Sequence, residues 1–161
     1  YLLKAMALLP NMFHLAIAGE GSLATQLRIL ASSLNINERI HFLGQIDQTH
    51  KFYPMLDIFC LPSLNEGFPL APLEAQACNI PTIVTDVGGA TETLCPNSGL
   101  AVQAGDEYAL TSAIIKHHIN QNSCQQKILT HSNTTNTPRD YICQHFSIEA
   151  MACAYQKLLC A

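Results

Sequence analysis

The chain has 161 residues and a mass of 17.6 kDa, the size of one domain. Hydrophobic residues make up 48% of it and charged residues 12%, and the net charge is −4 without a run of lysines or arginines, which excludes a disordered chain and an electrostatic nucleic-acid-binding tail. No apolar run reaches the roughly 18 residues of a bilayer span, and Tyr1 leads directly into a helical pattern, so neither a transmembrane segment nor a signal peptide is predicted.

The seven cysteines have the spacing of neither a disulfide framework nor a metal site. Their number is odd, they form no Cys-x-x-Cys pair, and several lie in apolar stretches, where a free thiol packs as a small hydrophobic side chain. The adjacent His117 and His118 would point to different faces of a helix, so they are predicted to lie on the solvated surface rather than to bind a metal. The cysteines therefore predict a reducing, cytosolic compartment.

Short apolar runs alternate with helical periodicities along the chain. Helical patterns and short turns cover residues 2–9, 23–34, 48–55, 70–78, 106–118, 148–159 and the surroundings of Glu92. Apolar runs that suit buried parallel strands cover residues 13–18, 39–43, 57–61, 82–85 and 100–102. The predicted helix caps are Ser22, Asp106 and Ser147 at amino ends and Asn79 at a carboxyl end. The polar stretch 120–138 is predicted to form a weak helix and a mobile loop.

This alternation predicts an α/β fold, with a Rossmann-like, mostly parallel sheet flanked by helices. Ligands of such folds bind beyond the carboxyl ends of the strands. The loops at these ends carry the glycines Gly19, Gly21, Gly44, Gly67, Gly88 and Gly89. Because glycine lets a ligand approach the backbone, this edge is the predicted binding site.

The stretch Gly19-Glu-Gly-Ser-Leu-Ala24 matches the G-x-G-x-x-A pattern of a dinucleotide-binding turn. That pattern also requires an acidic residue at the end of the next strand, where it binds a ribose hydroxyl. Here the next predicted strand ends at Leu43-Gly44-Gln45, without an acid. The sequence therefore disfavours an NAD-dependent dehydrogenase and leaves open a close approach of a nucleotide or a sugar.

Residues 63–77 contain the strongest set of candidate site residues. Gly67 leaves room for a ligand, and two prolines suit the start of a helix, whose free amides can bind a pyrophosphate. Glu66 precedes this helix and Glu74 lies about one turn into it. Two carboxylates beside a phosphate seat suit a nucleotide sugar. The residues alone leave a second interpretation equally open, in which Glu66 caps the helix and Glu74 is solvated.

Several landmarks of this sequence together resemble one known family. They are Ala18-Gly-Glu-Gly21, Ile40-His-Phe-Leu-Gly44, Asp57-Ile-Phe-Cys-Leu-Pro-Ser63, Glu66-Gly-Phe68 with Glu74-Ala75, Pro81-Thr-Ile-Val-Thr-Asp-Val-Gly-Gly89, and Glu92. In this order they resemble the C-terminal, donor-binding domain of retaining glycosyltransferases of the GT-B fold, in the large family four (glycosyl transferases group 1). The terminal helix after Phe146-Ser147 resembles the closing helix of that family, so the resemblance covers nearly the whole chain.

The resemblance implies a role for each matching residue. Glu66 would be the catalytic-site residue, in contact with the hydroxyls of the donor sugar, and Glu74 would bind the ribose hydroxyls. The backbone from Gly67 through Phe68 and Pro69 to Leu70 would hold the diphosphate. The residues expected near the base are Gly44 and Gln45, and those expected near an interdomain cleft are Gly19, Glu20 and Gly21. Residues 85–89 and Glu92 are expected close by.

The resemblance further implies the reaction and its partners. A hexosyl group would move from a UDP- or GDP-type sugar to an acceptor with retention of configuration, without a metal or another cofactor. Residues 1–161 would form one such domain, truncated before its first strand, and would be inactive without an N-terminal acceptor domain. The parent enzyme is expected in the cytoplasm, at the cytoplasmic face of a membrane, in polysaccharide biosynthesis. The exposed terminal helix and an unpaired sheet edge predict self-association.

The alternatives to a transferase are a nucleotide-sugar-binding module without turnover and a GT-B-fold UDP-sugar epimerase. A phosphorylase would need a lysine in a pyridoxal-binding context, which the sequence does not offer.

Overall fold

A computed structural model of the protein describes residues 1–96, 98–125 and 137–159. The chain alternates between helices and short strands. In order, they are α1 (Leu2–Leu8), β1 (Leu15–Ala18), α2 (Ala24–Ser33), β2 (Ile40–Gly44), α3 (Thr49–Phe52), β3 (Phe59–Leu61), α4 (Ala71–Ala77), β4 (Thr82–Thr85), β5 (Gly99–Val102), α5 (Glu107–Gln125), α6 (Pro138–Phe146) and α7 (Ile148–Leu159). Short 3₁₀ turns occupy Asn37–Arg39, Tyr53–Met55 and Thr91–Thr93.

The strands form two parallel sheets. β1 pairs with β2, and β3, β4 and β5 pair in that order. All of β4 is buried. Its sequence, Thr82-Ile-Val-Thr85, therefore shows no alternation between buried apolar and exposed polar residues. The predicted α/β fold with parallel, helix-flanked sheets is confirmed.

The core lies between the sheets and the helices that cover them. Its main cluster includes Leu3 and Met6 of α1, Ile83 of β4, and Leu110 and Ile114 of α5. A second cluster, of Phe52, Tyr53, Ala75 and Ile80, lies between the 3₁₀ turn after α3 and the helix α4. This second cluster fixes the element that carries Glu74.

A cavity of about 1200 Å³ separates the two sheets. Among the described residues β1 pairs with β2 alone and β3 with β4 alone, and both strands line the cavity. The imidazole of His117 also lines it, with a buried Nε2 that has no hydrogen-bond partner among the described residues, and burial lowers the pKa of this histidine. This cavity therefore separates the edge of β1 from the edge of β3, and we call it the inter-sheet slot.

Three of the predicted helix caps are confirmed. Asp106 accepts hydrogen bonds from two amides of α5 at 2.9 and 2.8 Å, and the Ser147 hydroxyl accepts one from the Ala150 amide of α7 at 3.1 Å. Asn79 has a φ of +61°, the left-handed conformation expected after α4.

The predicted cap at Ser22 is wrong. The helix α2 begins one residue later, with Leu23 at its N-cap and no side-chain cap, and the Ala24 amide donates to the Gly21 carbonyl at 3.1 Å. The backbone carbonyl of Gly21 accepts the hydrogen bond of the first amide of α2, so this amide does not need the Ser22 hydroxyl as an acceptor.

The weak helix predicted within residues 120–138 is present as the end of α5, which continues to Gln125. The helix α6, which begins at Pro138, was not predicted. A capping box starts α6, in which Thr137 and Asp140 bond to each other's amides. Residues 126–136, the middle of that prediction, lie outside the described residues. Within the described ranges, no helix combines the length and the apolar character that crossing a membrane requires.

Candidate functional site

The glycine-bearing loops meet at the carboxyl edge of the strands. The Gly19 amide, after β1, donates to the carbonyl of Gly44, at the end of β2, at 2.7 Å. The Gly89 amide, after β4, donates to the carbonyl of Gly67, in the loop after β3, at 2.8 Å. The predicted site edge is therefore built from loops that bond to one another in pairs.

The first pair of loops borders a shallow depression of about 610 Å³. The sequence-predicted residues Gly19, Glu20, Gly21 and Gly44 all line it. Its floor includes the Phe42 ring, over which the Arg28 guanidinium lies 4.2 Å from the centroid. This depression thus brings two of the predicted motifs together.

The loop after β3 holds Glu66 by local hydrogen bonds. The Ser63 hydroxyl donates to Glu66 Oε1 at 2.6 Å, and the Thr85 hydroxyl of β4 donates to the Ser63 carbonyl at 2.5 Å. Thr85 is buried and Glu66 is half-buried. The Glu66 carboxylate is therefore fixed to its own loop, which in turn is fixed to the central strand.

Gly88 and Gly89 pack directly against the same loop. A Cβ at Gly88, whose φ is +50°, would overlap the Glu66 carbonyl, and one at Gly89 would lie 2.6 Å from the Gly67 carbonyl oxygen. Both positions accordingly require glycine. The resemblance implied that these residues lie near the Glu66 loop. Their close packing against Glu66 and Gly67 sets the backbone path of that loop.

The amides of Phe68 and Leu70 make no hydrogen bonds within the described part of the chain. Leu70 is the N-cap of α4, without a side-chain cap, and its own side chain is 64% exposed. The Phe68 ring packs against Phe146 at the end of α6, with the centroids 6.1 Å apart. The loop thus presents unpaired donors while an aromatic contact anchors it.

Glu74 lies exposed on α4 and lines the inter-sheet slot, as Gly19 and Gln45 also do. The hydroxyl of the buried Tyr53 donates to Glu74 Oε2 at 3.0 Å. Burial, and then the nearby carboxylate, raise the pKa of Tyr53 far above its ordinary value, so this hydroxyl stays protonated.

The structure groups six of the predicted residues into two neighbourhoods that share Gly19, whereas the loop from Glu66 to Leu70 lines neither of them. One is the depression around Gly19, Glu20, Gly21 and Gly44, and the other is the cavity bordered by Gly19, Gln45 and Glu74. The sequence did not predict the hydrogen bonds donated by the hydroxyls of Tyr53 and Ser63, nor the contact of Phe146 with Phe68. Each of these residues acts through a contact whose partner the sequence does not identify.

Parallel sheets flanked by helices, with interlocked loops at their carboxyl edge, define a Rossmann-like half of the GT-B fold. The chain superposes on HepE of Anabaena in complex with UDP with a TM-score of 0.77 at 20% identity, over 98% of this chain and 43% of that one. It superposes on sucrose-phosphate synthase of Thermosynechococcus elongatus with a TM-score of 0.74 at 30% identity, over 99% of this chain and 41% of that one.

A curated relative gives a matching result. The chain is 34% identical over 112 residues to a GDP-mannose-dependent monoacylated alpha-(1-6)-phosphatidylinositol monomannoside mannosyltransferase of Corynebacterium glutamicum, which is 64% of this chain and 29% of that protein. The chain spans less than half the length of each of these three proteins. The family model of glycosyl transferases group 1 matches residues 1–129. The chain belongs to this family of glycosyltransferases, as its sequence landmarks predicted.

Proposed function

We propose that the chain is the donor-binding domain of a retaining glycosyltransferase that uses a nucleoside diphosphate sugar of the UDP or GDP type. The observation that carries the proposal is the loop between β3 and α4. Its amides at Phe68 and Leu70 make no hydrogen bond to any residue that the structure describes. A carboxylate that accepts a hydroxyl hydrogen bond lies on either side of them in the sequence, Glu66 before and Glu74 after. An anion seat between two diol-binding carboxylates matches the order of groups in a nucleotide sugar.

Within this proposal each part of the donor has its own residues. Glu66 contacts hydroxyls of the transferred hexose, the backbone of residues 67–70 holds the diphosphate, and Glu74 binds the ribose. Gly44 and Gln45 lie beside the base, and the depression at residues 19–21 faces the interdomain cleft. The carboxylates bind hydroxyls and do not act as a glycosidase acid and nucleophile, whose separation would have to match that mechanism.

The chemical contribution of this domain is electrostatic. As the sugar leaves, negative charge develops on the diphosphate, and fixed backbone donors stabilise that charge. The proposed domain needs no metal for this step. Because the chain spans less than half of its relatives, we propose that an N-terminal domain supplies the acceptor site and that residues 1–161 alone do not catalyse transfer.

The inter-sheet slot supports a further part of the proposal. We infer that a β-strand on the amino-terminal side of Tyr1 fills the slot and pairs with both β1 and β3. The Tyr1 hydroxyl donates to the Ser63 carbonyl at 3.4 Å, so α1 starts beside the carboxyl end of β3. A parallel strand that ended there would continue into α1 and then β1 as one β-α-β crossover.

Two finer proposals concern the parent enzyme. Its place is the cytoplasmic face of a membrane, which is consistent with the lipid named for the mannosyltransferase relative.

The second proposal concerns the chain when it stands alone. The side chains of Ile148 and Met151 on α7 are 77% and 54% exposed, and this apolar surface supports self-association.

The test is a thermal-shift panel of UDP, GDP, ADP, CDP, their sugars and NAD. A ligand that binds the folded state alone raises the melting temperature by mass action, so weak binding is detectable at millimolar concentrations. We expect one nucleoside diphosphate to shift the melting temperature and Glu74→Ala to remove the shift, because hydrogen bonds to a charged acceptor contribute about 1.5–3 kcal/mol. Glu149→Ala on α7 is the control, and its shift should equal that of the unmodified chain. A shift with NAD alone, or with no nucleotide at all, contradicts the proposal.

A further inference from the structure

We propose that Tyr53 is a positioning residue of the donor site, which orients Glu74 so that the site selects ribonucleotides over deoxyribonucleotides. The inference rests on the proposed function, because it assumes that Glu74 meets the ribose. It adds a residue outside the sequence landmarks quoted above, which acts on the ligand through another side chain.

The contact joins a buried donor to an exposed acceptor. Tyr53 is 5% exposed, whereas Glu74 is exposed, and the hydroxyl lies 3.0 Å from Glu74 Oε2. An exposed glutamate that lacked such a donor would exchange among its rotamers in solvent. Here one of its two oxygens is anchored from the protein interior.

The tyrosine ring is itself immobilised. The Phe59 ring meets it edge-on at 5.7 Å between centroids, and the Phe52 ring lies tilted at 6.1 Å. Both rings belong to the packing around the second core cluster, with Ala75 of α4 at 0% exposure. The packing of the ring thus holds the Tyr53 hydroxyl oxygen within hydrogen-bonding distance of Glu74.

The helix that carries Glu74 is held as firmly. Gln76, at 0% exposure, donates from Nε2 to the carbonyls of Pro72 and Thr93 at 2.9 and 2.7 Å, and its Oε1 accepts the Cys95 amide at 2.6 Å. The bonds to Thr93 and Cys95 tie α4 to the segment after β4, and the bond to Pro72 lies within α4. With both the donor and the helix fixed, the free oxygen of Glu74 has a defined position at the mouth of the cavity.

This arrangement suits a vicinal diol. A carboxylate has about four lone-pair positions, and the Tyr53 hydroxyl uses one of them, which leaves acceptors for two hydroxyl donors. Because the tyrosine stays protonated, it continues to donate when the ligand binds. A ligand that lacks one ribose hydroxyl gains less from this preorganisation, and so the effect of Tyr53 depends on the ribose.

The experiment measures dissociation constants by calorimetry for UDP, GDP and their 2′-deoxy analogues, in the unmodified protein, Tyr53→Phe, Glu74→Gln and the double variant. Tyr53→Phe keeps the ring and removes the hydroxyl alone. We expect it to weaken ribonucleotide binding by ~3–10-fold and to leave deoxyribonucleotide binding within ~2-fold, as the loss of one preorganising hydrogen bond implies. The double variant should bind no more weakly than Glu74→Gln. Tyr108→Phe, whose ring is 68% exposed, should have no effect.

The test remains valid if Tyr53→Phe is partly unfolded. Unfolding lowers the apparent affinity for ribo- and deoxyribonucleotides by the same factor, so the ratio of the two affinities does not change. An unchanged ratio in Tyr53→Phe, together with a reduced ratio in Glu74→Gln, overturns the role of Tyr53 and leaves the proposed function intact. An unchanged ratio in Glu74→Gln, or no nucleotide binding by the unmodified protein, overturns the proposed function and the role of Tyr53 with it.

Discussion

At the scale of single residues, the site is held in place by backbone geometry and neutral hydroxyls. Ser63 and Tyr53 each donate to one carboxylate, and Gly88 and Gly89 allow the loop that carries Glu66 to lie against the loop after β4. Neutral donors leave the negative charge of the carboxylates in place, so the carboxylates remain strong hydrogen-bond acceptors.

Gly88 provides a residue-scale prediction, with Gly105 as its matched control. Both have positive φ, at +50° and +77°, but a Cβ meets the Glu66 carbonyl at Gly88 and nothing within 4 Å at Gly105. We expect Gly105→Ala to lose about 1–2 kcal/mol of stability, the cost of a left-handed conformation, and to retain nucleotide binding. Gly88→Ala should lose more stability and weaken binding, because Glu66 must move.

Thermal unfolding and nucleotide titration of the two variants check this prediction. Equal loss of stability in both, with binding intact in Gly88→Ala, would mean that the contact between the two loops does not set the position of Glu66.

At the scale of elements, the helix α6 supports the loop between β3 and α4, residues 62–70. Phe146 meets Phe68 at 6.1 Å and Tyr141 at the same centroid distance, so the carboxyl end of α6 forms an aromatic anchor for the loop between β3 and α4. The Asn79 side chain accepts the Arg139 amide at 3.1 Å, which fixes the amino end of α6 to the end of α4. The helix thus bridges both ends of the segment that carries the site.

Phe146→Ala should therefore loosen the loop between β3 and α4. Aromatic pairs contribute about 0.5–1.5 kcal/mol beyond their buried area, so the Gly89 amide, which donates to the Gly67 carbonyl of this loop, should lose about that much protection from exchange, and nucleotide binding should weaken. Hydrogen-exchange mass spectrometry measures the change. Cys143→Ala, an exposed position on the same helix, is the control and should leave exchange at Gly89 unchanged. An identical exchange profile in both variants would show that α6 does not hold the loop.

The sequence predicts these elements unevenly, for physical reasons. The strands were predictable as short, largely apolar runs, although only β4 is buried along its whole length, and the caps at Asp106, Ser147 and Asn79 are local patterns. The helix α6 was not predicted because the polar composition before it masks the capping box at Thr137. The contact of Tyr53 with Glu74 spans 21 residues, and only the folding of α3 and α4 around one cluster creates it.

At the scale of the whole molecule, the sheet is divided by the inter-sheet slot. Strand edges of β1 and β3 border a cavity of about 1200 Å³ at whose wall the buried His117 Nε2 lacks a partner among the described residues. Unpaired strand edges are sites of association with other chains. The slot accordingly supports both the proposed upstream strand and self-association in its absence.

The corresponding prediction compares residues 1–161 with the same chain extended by its natural upstream segment. We expect the extension to slow amide exchange in both β1 and β3 and to reduce concentration-dependent association in light scattering. Exchange in β5, whose pairing with β4 is already complete on that side, serves as the internal reference. Protection of neither β1 nor β3, or a concentration-independent monomer without the extension, would contradict the proposed strand.

The buried amide of Gln76 has a consequence of another kind. Its three hydrogen bonds join residues 72, 93 and 95 at a point with 0% exposure, and Cys95 takes part through its backbone while its thiol is free. A secreted domain of this size would often cross-link such a junction with a disulfide. Here the cross-link is a neutral amide, so these three hydrogen bonds of α4 do not depend on the redox state of their surroundings.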